Sequence, residues 1–407
     1  MNSTNAIIKS LLDLDFYKLT MAQVAFESYS EVVVKYAFKN RTKSVRLADC
    51  IPEKELRKAL DRVRKLTITP EEINYLRELG TFSEKFLEFL RTLRLPRFYL
   101  EKDGGQYKIE VSGKWPETIL WETLILSVAN ELYYYYLLKK EGGVLNDIHE
   151  KGRRRMEEKI RILRLNPDIK FIDFGTRRRF SGTWQERVVE TLKKEIPDQI
   201  LGTSNIFLAR KFGIKPIGTF AHEMYMIFSG IYHGSEKEIV ASHSKVLEVW
   251  WEKYGEELSV ALTDTYGTDF FFKDFTQKQA MKWRGLRHDS GDPIEFGEKA
   301  IAFYENYGID PKTKLLVFSD GLDLETILMI QRQFHGRVRL LFGWGTNLTN
   351  DMGFPALSLV VKAVEAQGHS LVKLSDNLAK AIGDPEIVEL FKKLFGHSVS
   401  LDKPCKY

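Results

Sequence analysis

The sequence predicts an α/β fold built on an irregular (β/α)8-like barrel. The main observation is a change of rhythm from about residue 168, where short apolar segments begin to alternate with helical stretches, an order typical of a parallel sheet. A second observation is that most of these segments end in Gly, Ser, Thr, Asp or His. Such polar ends suit a barrel and also the alternative, a doubly wound open sheet, because both folds bind ligands at the carboxyl ends of their strands.

Eight apolar segments are expected to be the parallel strands, and this number favours the barrel. The short gap between the seventh and the eighth makes the barrel irregular. In chain order the segments are Lys170–Asp173, Gln199–Gly202, Ile217–Phe220, Val260–Thr263, Lys282–Leu286, Leu315–Ser319, Val338–Phe342 and Leu357–Val361.

The first 115 or so residues predict a separate α+β region. Val32–Phe38 is β-branched and aromatic, which is typical of a strand. Pro70–Arg94 has the apolar spacing of a helix, and Thr69 can cap it. Two further strands are expected at Arg97–Leu100 and Tyr107–Val111, with a turn between them at Asp103–Gly105.

The composition is that of a soluble globular enzyme or binding protein. Of 407 residues, 43% are hydrophobic and 29% charged, and the net charge of +5 is compatible with anionic small molecules without indicating nucleic acid. Cys50 and Cys405 provide neither a disulfide framework nor a zinc spacing. The most apolar stretch, Ile119–Leu138, is interrupted by Glu122 and other polar residues, so no membrane span is expected. Because Met1–Asp15 lacks a signal-peptide pattern, we expect a cytoplasmic protein.

The run Arg287–Pro293 is the most informative motif, because it combines a cation, carboxylates, a hydroxyl and a glycine. Carboxylates accept hydrogen bonds from ribose hydroxyls, Arg pairs with phosphate, and Gly lets a backbone approach closely. An ordinary polar turn is the alternative.

His222 follows the third segment and Asp264 the fourth. An Asp opposite a His can fix its tautomer and raise its nucleophilicity, although a lone His is more often structural.

Other strand ends carry possible anion-binding groups. Arg177 is expected to bind an anion, whereas Arg178 and Arg179 fit a basic surface loop. Ser204, taken locally, fits the cap of a helix over 206–211. Further strand-end residues that could contact a sugar phosphate are Asp320, Gly343, Gly345 and Thr346. The chain lacks the phosphate-loop lysine motif and the dinucleotide glycine fingerprint.

Taken together in order, these clusters resemble the nicotinate phosphoribosyltransferase family of type II phosphoribosyltransferases. Any one cluster is weak evidence, but the ordered series is specific and spans most of the chain. The clusters are Asp15–Met21, Gly175–Arg177, Gly202–Asn205, Ala221–Glu223, Thr263–Thr268, Arg287–Pro293, Ser319–Gly321, Phe342–Thr346 and Lys373–Asn377.

The resemblance implies that nicotinate and phosphoribosyl pyrophosphate form nicotinate mononucleotide and pyrophosphate, coupled to ATP hydrolysis, in NAD biosynthesis. It implies Mg²⁺ bound with the phosphates of phosphoribosyl pyrophosphate and ATP, and it assigns no protein ligand to the metal. It also implies two domains, a smaller one from residues 1–135 joined by the tail 375–407 and a barrel over 136–374. Finally, it implies a homodimer with shared active sites, into which Asp15 and Tyr17 of the partner subunit would reach.

The resemblance also assigns roles to residues. His222 would be phosphorylated by ATP, with Asp264 orienting it. Arg287 and Asp289 would hold the base and the ribose hydroxyls, with Asp320 nearby. The remaining assignments are Phe174 and the partner's Tyr17 on the faces of the pyridine ring, Arg177 on a carboxylate or phosphate, Ser204 in the base pocket, Gly343, Gly345 and Thr346 around the 5′-phosphate, and Lys373 on a phosphate.

Three other functions are weighed against this one. Nicotinamide phosphoribosyltransferase is similar in layout but carries an acidic residue where this chain has Ser204, and a neutral Ser204 favours the acid substrate. Quinolinate phosphoribosyltransferase fits less well, because this chain carries the His222 cluster and is longer than that family's pattern. A non-catalytic nucleotide-binding protein is disfavoured by the presence of His222, Asp289 and Asp320.

Overall fold

The computed structural model describes residues 6–142 and 145–403, which divide into two compact units. Unit 1 comprises the chain up to Gly218 together with Trp344–Lys362, and unit 2 comprises Thr219–Gly343 together with the chain from Ala363. The predicted domains, 1–135 with 375–407 and 136–374, are drawn at other positions and stay a prediction.

Unit 1 holds an antiparallel sheet, a short parallel sheet and most of the helices of the first half of the chain. Its strands are β1 (Val33–Asn40), β2 (Phe98–Asp103), β3 (Gln106–Lys114), β4 (Phe171–Asp173), β5 (Ile200–Thr203) and β6 (Lys215–Pro216). Its helices are α1 (Phe16–Ser28), α2 (Leu47–Cys50), α3 (Glu53–Arg64), α4 (Pro70–Glu78), α5 (Glu84–Thr92), α6 (Trp115–Thr118), α7 (Trp121–Glu141), α8 (Leu145–Arg164), α9 (Gly182–Glu195), α10 (Ile206–Phe212) and, later in the chain, α17 (Thr346–Thr349).

The antiparallel strands of unit 1 confirm the predicted α+β region. β3 pairs with β1 on one side, with Val33 opposite Lys114, and with β2 on the other, with Phe98 opposite Val111. Gly104 and Gly105 form the tight turn between β2 and β3, because both adopt the positive φ that the turn requires. β5 lies between β4 and β6 in a parallel arrangement.

The helix expected over Pro70–Arg94 is two helices, so this prediction is wrong in its extent. Thr69 does cap the first, in a capping box with Glu72. Gly80 then adopts φ +72°, and Ser83 accepts a hydrogen bond from the Phe86 N–H to start the second helix. The apolar period continued across the break, and for that reason periodicity alone did not reveal it.

Unit 2 consists of a parallel sheet with helices and a C-terminal segment. Its strands are β7 (Val260–Leu262), β8 (Gly285–His288), β9 (Leu315–Phe318), β10 (Arg339–Trp344, whose last residue belongs to unit 1), β11 (Leu359–Ala366, which enters unit 2 at Ala363) and β12 (His369–Ser370). Its helices are α11 (His222–Ile231), α12 (Glu236–Tyr254), α13 (Thr268–Asp274), α14 (Gln277–Lys282), α15 (Pro293–Asn306), α16 (Leu324–Phe334) and α18 (Pro385–Phe395). The part of the chain that the structure describes also contains three short 3₁₀ helices, at Thr176–Arg178, Pro311–Thr313 and Leu378–Lys380.

Seven parallel strands, β4 to β10, replace the eight that the sequence predicted. The mixed α/β class is confirmed, and the eight-stranded barrel is not. Ile217–Phe220 forms no strand, and the two-residue β6 precedes it. Leu357–Val361 overlaps β11, which pairs antiparallel with β12. A run of apolar residues does not report strand direction, so this segment was counted with the parallel strands.

The sequence predicted that the two cysteines form no disulfide framework and that no segment spans a membrane. Cys50 is a partly buried free thiol, and Cys405 lies outside the described residues. Met1–Asn5, part of the segment expected to lack a signal peptide, also lies outside them. Of the helices within 6–142 and 145–403, none combines the length and apolar composition that a membrane span needs.

Gly285 allows β8 and β9 to pair, and replacing it tests the sheet of unit 2. A Cβ at this position would lie 1.9 Å from the Leu315 carbonyl oxygen, so Gly285→Ala should lower the free energy of unfolding by about 3 kcal/mol. Gly308→Ala is the control, because φ there is +68° but no atom lies within 4 Å, and it should cost only about 1 kcal/mol. Urea denaturation followed by circular dichroism measures both, and equal losses would contradict the steric explanation.

Candidate active site

His222 is the centre of a buried polar cluster in unit 2. It is the first residue of α11, and its side chain meets residues that follow β7, β8 and β12. Nε2 lies 2.8 Å from Asp289 Oδ2 and 2.9 Å from Lys373 Nζ, while Nδ1 lies 3.0 Å from Thr265 Oγ1. Three loops at strand ends therefore converge on one imidazole, and they bring together His222, Asp289 and Lys373, which the sequence had assigned to separate roles.

The contacts of His222 allow two neutral tautomers. A proton on Nε2 is donated to Asp289, and Nδ1 then accepts from the Thr265 hydroxyl. A proton on Nδ1 is donated to Thr265, and Nε2 then accepts from Lys373. In either tautomer one ring nitrogen keeps a lone pair, which is the electronic requirement of a nucleophile.

The hydrogen-bond partner of His222 is Asp289 rather than Asp264, which corrects the expected pairing. Asp264 Oδ1 lies 3.9 Å from Nε2, too far for a hydrogen bond. Its other oxygen, Oδ2, accepts a 2.5 Å hydrogen bond from Ser290 Oγ and lies 3.7 Å from Lys373 Nζ. Asp264 therefore acts on His222 through its charge, and the positions of the two carboxylates relative to one ring could not be ranked from sequence.

Burial, more than the surrounding charges, keeps His222 neutral at physiological pH. Burial and the Lys373 charge together lower the pKa of His222 to about 4, although Asp264 and Asp289 oppose the shift. Burial favours a raised pKa for Asp289, but the hydrogen bond to His222 and the charges of Lys380 and Lys373 outweigh it and hold that pKa well below its usual range. The cluster is therefore a neutral imidazole between ionised carboxylates and an ammonium group.

The side chains of His222, Asp264 and Asp289 could in principle hold a metal ion, since one ligand atom from each lies within 4.8 Å of the others. Lys373 opposes this role, because its ammonium nitrogen is already 2.9 Å from His222 and 3.7 Å from Asp264. A divalent cation among the same atoms would meet that positive charge at short range. The residues present therefore fit a lysine-neutralised cluster better than a protein-held Mg²⁺.

Asp320 joins the same cluster through a lysine that sequence reasoning missed. Lys380 Nζ donates to Asp320 Oδ1 and, at 2.6 Å, to the Asp289 carbonyl oxygen. Burial favours a lowered pKa for Lys380, but Asp320 and Asp289 raise it above its usual value, so it stays charged. Its place in the run that continues Lys373–Asn377 was the available signal. Beside it, Ser290 and Asp320 line a cavity of about 740 Å³.

Two further predicted residues of unit 2, Arg287 and Gly343, lie within strands, near their carboxyl ends. Arg287 lies within β8, opposite Leu262 of β7 and Val317 of β9. Gly343 lies in the buried part of β10, close to its end. Both occupy the strand-end positions that the sequence indicated, and their contacts with a ligand stay a prediction.

A second buried cluster lies in unit 1 around Glu122, which is 2% exposed. Glu122 forms an ion pair with the fully buried Lys18 and lies 3.4 Å from both Arg177 Nη1 and Lys362 Nζ. Burial favours a raised pKa for Glu122, but the charges of Lys18, Lys362 and Arg177 overcome it and hold the pKa far below its usual value. Lys18 belongs to the Asp15–Met21 motif, but its buried ion pair with Glu122 was not predicted from the sequence.

Asp15 and Ser204 adjoin this cluster in the same chain. Ser204 Oγ donates to Asp15 Oδ1 at 2.6 Å, and Arg177 Nε lies 3.4 Å from Asp15 Oδ2. Burial raises the pKa of Asp15, partly offset by Arg177 and Ser204. Tyr17 is 8% exposed, with the Lys18 and Arg177 cations 5.3 and 5.7 Å from its ring. Asp15 is therefore enclosed by residues of its own chain, and its reach into a partner's site stays a prediction.

Two local expectations near this cluster are also corrected. Asn205, not Ser204, caps α10 by accepting the Leu208 N–H. Arg179 does not lie in a surface loop, because it is 1% exposed and bidentate to Asp13 at 2.6 and 2.8 Å. Arg178 donates to the Leu359 carbonyl oxygen instead of facing only solvent. A run of arginines shows charge but not the buried carboxylate that meets each one.

Phe174, Gly345 and Thr346 lie together in unit 1. The Phe174 N–H donates to the Trp344 carbonyl oxygen at 2.8 Å, which brings the end of β4 next to the last residue of β10. Gly345 has its Cβ position 3.5 Å from the Phe174 carbonyl oxygen, and Thr346 begins the four-residue α17. The ring of Phe174 is partly exposed and could contact a flat ligand.

The pKa of His222 gives a test through stability. The unfolded chain takes up its proton near pH 6.5, whereas the folded chain does so only near pH 4, so stability is greatest above pH 6.5 and falls as the pH drops through that window. Between pH 7 and 4.5 this group should account for about 2–3 kcal/mol. His222→Gln does not titrate and keeps an N–H for Asp289, so its urea stability should fall by that much less. Parallel declines of the two proteins would contradict the lowered pKa.

Comparison with known proteins covers almost the whole chain. A model of the nicotinate phosphoribosyltransferase (NAPRTase) N-terminal domain matches residues 12–130, and a model of the nicotinate phosphoribosyltransferase (NAPRTase) family matches residues 169–399. The crystal structure of nicotinate phosphoribosyltransferase from Porphyromonas gingivalis is similar, with 33% identity and a TM-score of 0.88 over 96% of this chain and 100% of that one. The enzyme of the same name from Vibrio cholerae has 34% identity and a TM-score of 0.88 over 98% and 97% of the two chains. The chain therefore belongs to the nicotinate phosphoribosyltransferase family of enzymes.

Proposed function

We propose that this protein joins nicotinate to phosphoribosyl pyrophosphate, releasing nicotinate mononucleotide and pyrophosphate, and couples the reaction to ATP through a phosphohistidine at His222. The observation that carries the proposal is a neutral, buried His222 within 3.0 Å of a carboxylate, an ammonium group and a hydroxyl. Family membership supports the substrates, and the product would serve NAD biosynthesis.

In the ATP-dependent step, the unprotonated ring nitrogen of His222 would attack the γ-phosphorus of ATP. A nitrogen–phosphorus bond forms, the bond to the bridging oxygen breaks, and ADP leaves with the electron pair. The phosphoryl group adds nearly two negative charges beside Asp264 and Asp289. Lys373 is positioned to offset that charge, since its Nζ is already 2.9 Å from the ring.

In the transfer step, the pyridine nitrogen of nicotinate would form a bond to C1′ of the ribose as the bond to pyrophosphate breaks. Positive charge develops on the ribose ring in this transition state, and preorganised carboxylates stabilise it. Asp289 and Asp320 are the candidates, with Arg287 holding the base or a phosphate. Mg²⁺ would arrive on the phosphates of the substrates and help pyrophosphate to leave, with those phosphates as its main ligands.

The charge of the unit 1 cluster supports nicotinate over nicotinamide. Three cations, Lys18, Arg177 and Lys362, meet two carboxylates, Glu122 and Asp15. The excess positive charge suits a substrate that carries a carboxylate. Arg177 would face that carboxylate, Ser204 would line the pocket, and Phe174 and Tyr17 would contact the ring. Gly343, Gly345 and Thr346 are proposed for the 5′-phosphate.

A homodimer and a cytoplasmic location complete the proposal. Both come from the resemblance and the composition. Asp15 and Tyr17 of the partner subunit are the residues that we expect at a site shared between subunits. Light scattering of the purified protein tests the dimer separately from the activity.

Product formation tests the proposed reaction. With phosphoribosyl pyrophosphate and Mg²⁺, the protein should convert nicotinate much faster than nicotinamide or quinolinate, and ATP should raise the rate with nicotinate. His222→Ala should lose the ATP stimulation, because no nucleophile remains to accept the phosphoryl group. Preference for nicotinamide would move the function to the sister activity. Binding of phosphoribosyl pyrophosphate without turnover would favour the non-catalytic alternative, and ATP stimulation that survives in His222→Ala would exclude the phosphohistidine.

Ser204 gives a separate test of substrate choice. Ser204→Asp would put a second carboxylate beside Asp15, whose oxygen is now 2.6 Å from the serine hydroxyl, and would cancel the excess positive charge. The ratio of kcat/KM for nicotinate to that for nicotinamide should fall about tenfold or more. Ser204→Ala removes the hydroxyl without adding charge and should change the ratio much less. An unchanged ratio in Ser204→Asp would remove Ser204 from the determinants of specificity.

A further inference from the structure

Ser290 makes a complete set of hydrogen bonds that the proposed mechanism does not use. Its Oγ donates to Asp264 Oδ2 at 2.5 Å and accepts from Ser375 Oγ at 2.8 Å and from the Asp376 N–H at 3.0 Å. A hydroxyl has one proton and two lone pairs, so all of its capacity is used. Ser290 is 1% exposed, so water does not compete for these hydrogen bonds. The hydroxyl proton of Ser290 therefore points toward Asp264.

Ser375, which donates to Ser290, has an unusual backbone. It is one of two non-glycine residues with positive φ among the described residues, at +70°, a conformation that costs a serine about 1–2 kcal/mol. The conformation is held from both sides. The Leu374 N–H donates to the Thr265 carbonyl oxygen at 2.8 Å, and His397 Nε2 donates to the Ser375 carbonyl oxygen at 2.8 Å. Strain that neighbouring groups maintain in a fully buried residue points to a function.

The hydrogen bond from Ser290 determines what Asp264 can do with Lys373. Asp264 Oδ2 is occupied by Ser290 and stands 3.7 Å from Lys373 Nζ, whereas Lys373 Nζ is 2.9 Å from His222 Nε2. Asp264 Oδ1 has no hydrogen-bond partner among the described residues, so Oδ2 anchors the carboxylate through Ser290. Without that anchor the carboxylate could turn and form a shorter, stronger pair with the ammonium group. Such a pair would draw Lys373 away from the imidazole.

We propose that Ser375 and Ser290 form a hydroxyl chain that holds Asp264 in place and so keeps Lys373 beside His222 for the ATP-dependent step. Both serines are positioning residues, because they act through Asp264 and Lys373 and touch no reacting atom. The inference rests on the proposed function, since the consequence of misplacing Lys373 is a slower transfer of phosphoryl to His222. The backbone at Ser375 also links this site to the segment after α18 through His397.

Ser290→Ala is the direct test, read out by steady-state kinetics and by acid-labile labelling from ATP carrying a radioactive γ-phosphate. The ATP-stimulated kcat and the rate of labelling should fall about tenfold or more, the usual effect of losing a hydrogen bond to a charged group. The KM for nicotinate should change less than about twofold, because no group of the unit 1 cluster is altered. General damage to the fold would raise KM and lower kcat together.

Ser375 allows the hydroxyl to be separated from the backbone strain. Ser375→Gly and Ser375→Ala both remove the hydroxyl, but glycine tolerates φ +70° and alanine does not, so the glycine variant should be the more stable in urea. A hydroxyl chain predicts an equal loss of ATP-stimulated kcat in the two variants. Ser242→Ala is the matched control, because Ser242 is also 1% exposed in unit 2 but donates only to the Ile239 carbonyl oxygen of its own helix. It should keep the wild-type rate.

The outcomes separate this inference from the proposed function. Wild-type protein without nicotinate turnover or ATP labelling would overturn the proposed function itself. Wild-type protein that is labelled and stimulated, together with a Ser290→Ala variant that keeps both, would overturn the hydroxyl chain alone. If Ser290→Ala does not fold, Ser375→Gly decides. Full activity in that variant would overturn the inference, and a loss equal to that of Ser375→Ala supports it.

Discussion

The hydrogen bond between His222 and Asp289 is the contact on which the rest of the unit 2 site depends. A carboxylate that has lost much of its contact with water, such as that of Asp289 with a side chain 31% exposed, is tolerated only when donors and cations replace that water. Asp289 obtains these from His222 and from the nearby charges of Lys380 and Lys373. The need to satisfy one carboxylate therefore fixes the ends of β7 and β8 and the segment after β12 around a single imidazole.

The unit 1 cluster meets the same electrostatic problem with a different balance of charge. Glu122 is almost fully buried, and three cations lie against it rather than one imidazole and two ammonium groups. The positive charge left over costs desolvation energy in the free protein, and an anionic substrate would offset that cost on binding. Under the proposed function, the cluster would therefore be less favourable empty than occupied, which is how a binding site differs from a structural ion pair.

The fold class, the strand-end position of most site residues and the family follow from the sequence because motif order and apolar segments are local properties. What it could not provide was geometry between segments. Asp264 and Asp289 were both recognised, yet only the structure ranks their distances to His222, 3.9 and 2.8 Å. Arg179 looked like a surface charge because its partner, Asp13, is 166 residues away in the chain. Leu357–Val361 had the right composition for a strand, but the composition of a segment does not specify the direction of the strand or its pairing partner.

In the proposed mechanism, the charge of Lys373 would serve two states of the same imidazole, unphosphorylated and phosphorylated. Before phosphorylation its positive charge disfavours the protonated ring, so His222 keeps the lone pair that a nucleophile needs. After phosphorylation the same charge would face a phosphoryl group and stabilise it. A carboxylate alone would do the reverse in both states, favouring the protonated ring first and repelling the phosphoryl group afterwards. The distance of Lys373 from Asp264 therefore matters as much as its distance from His222, because a tight pair with Asp264 would cancel the charge that both states require.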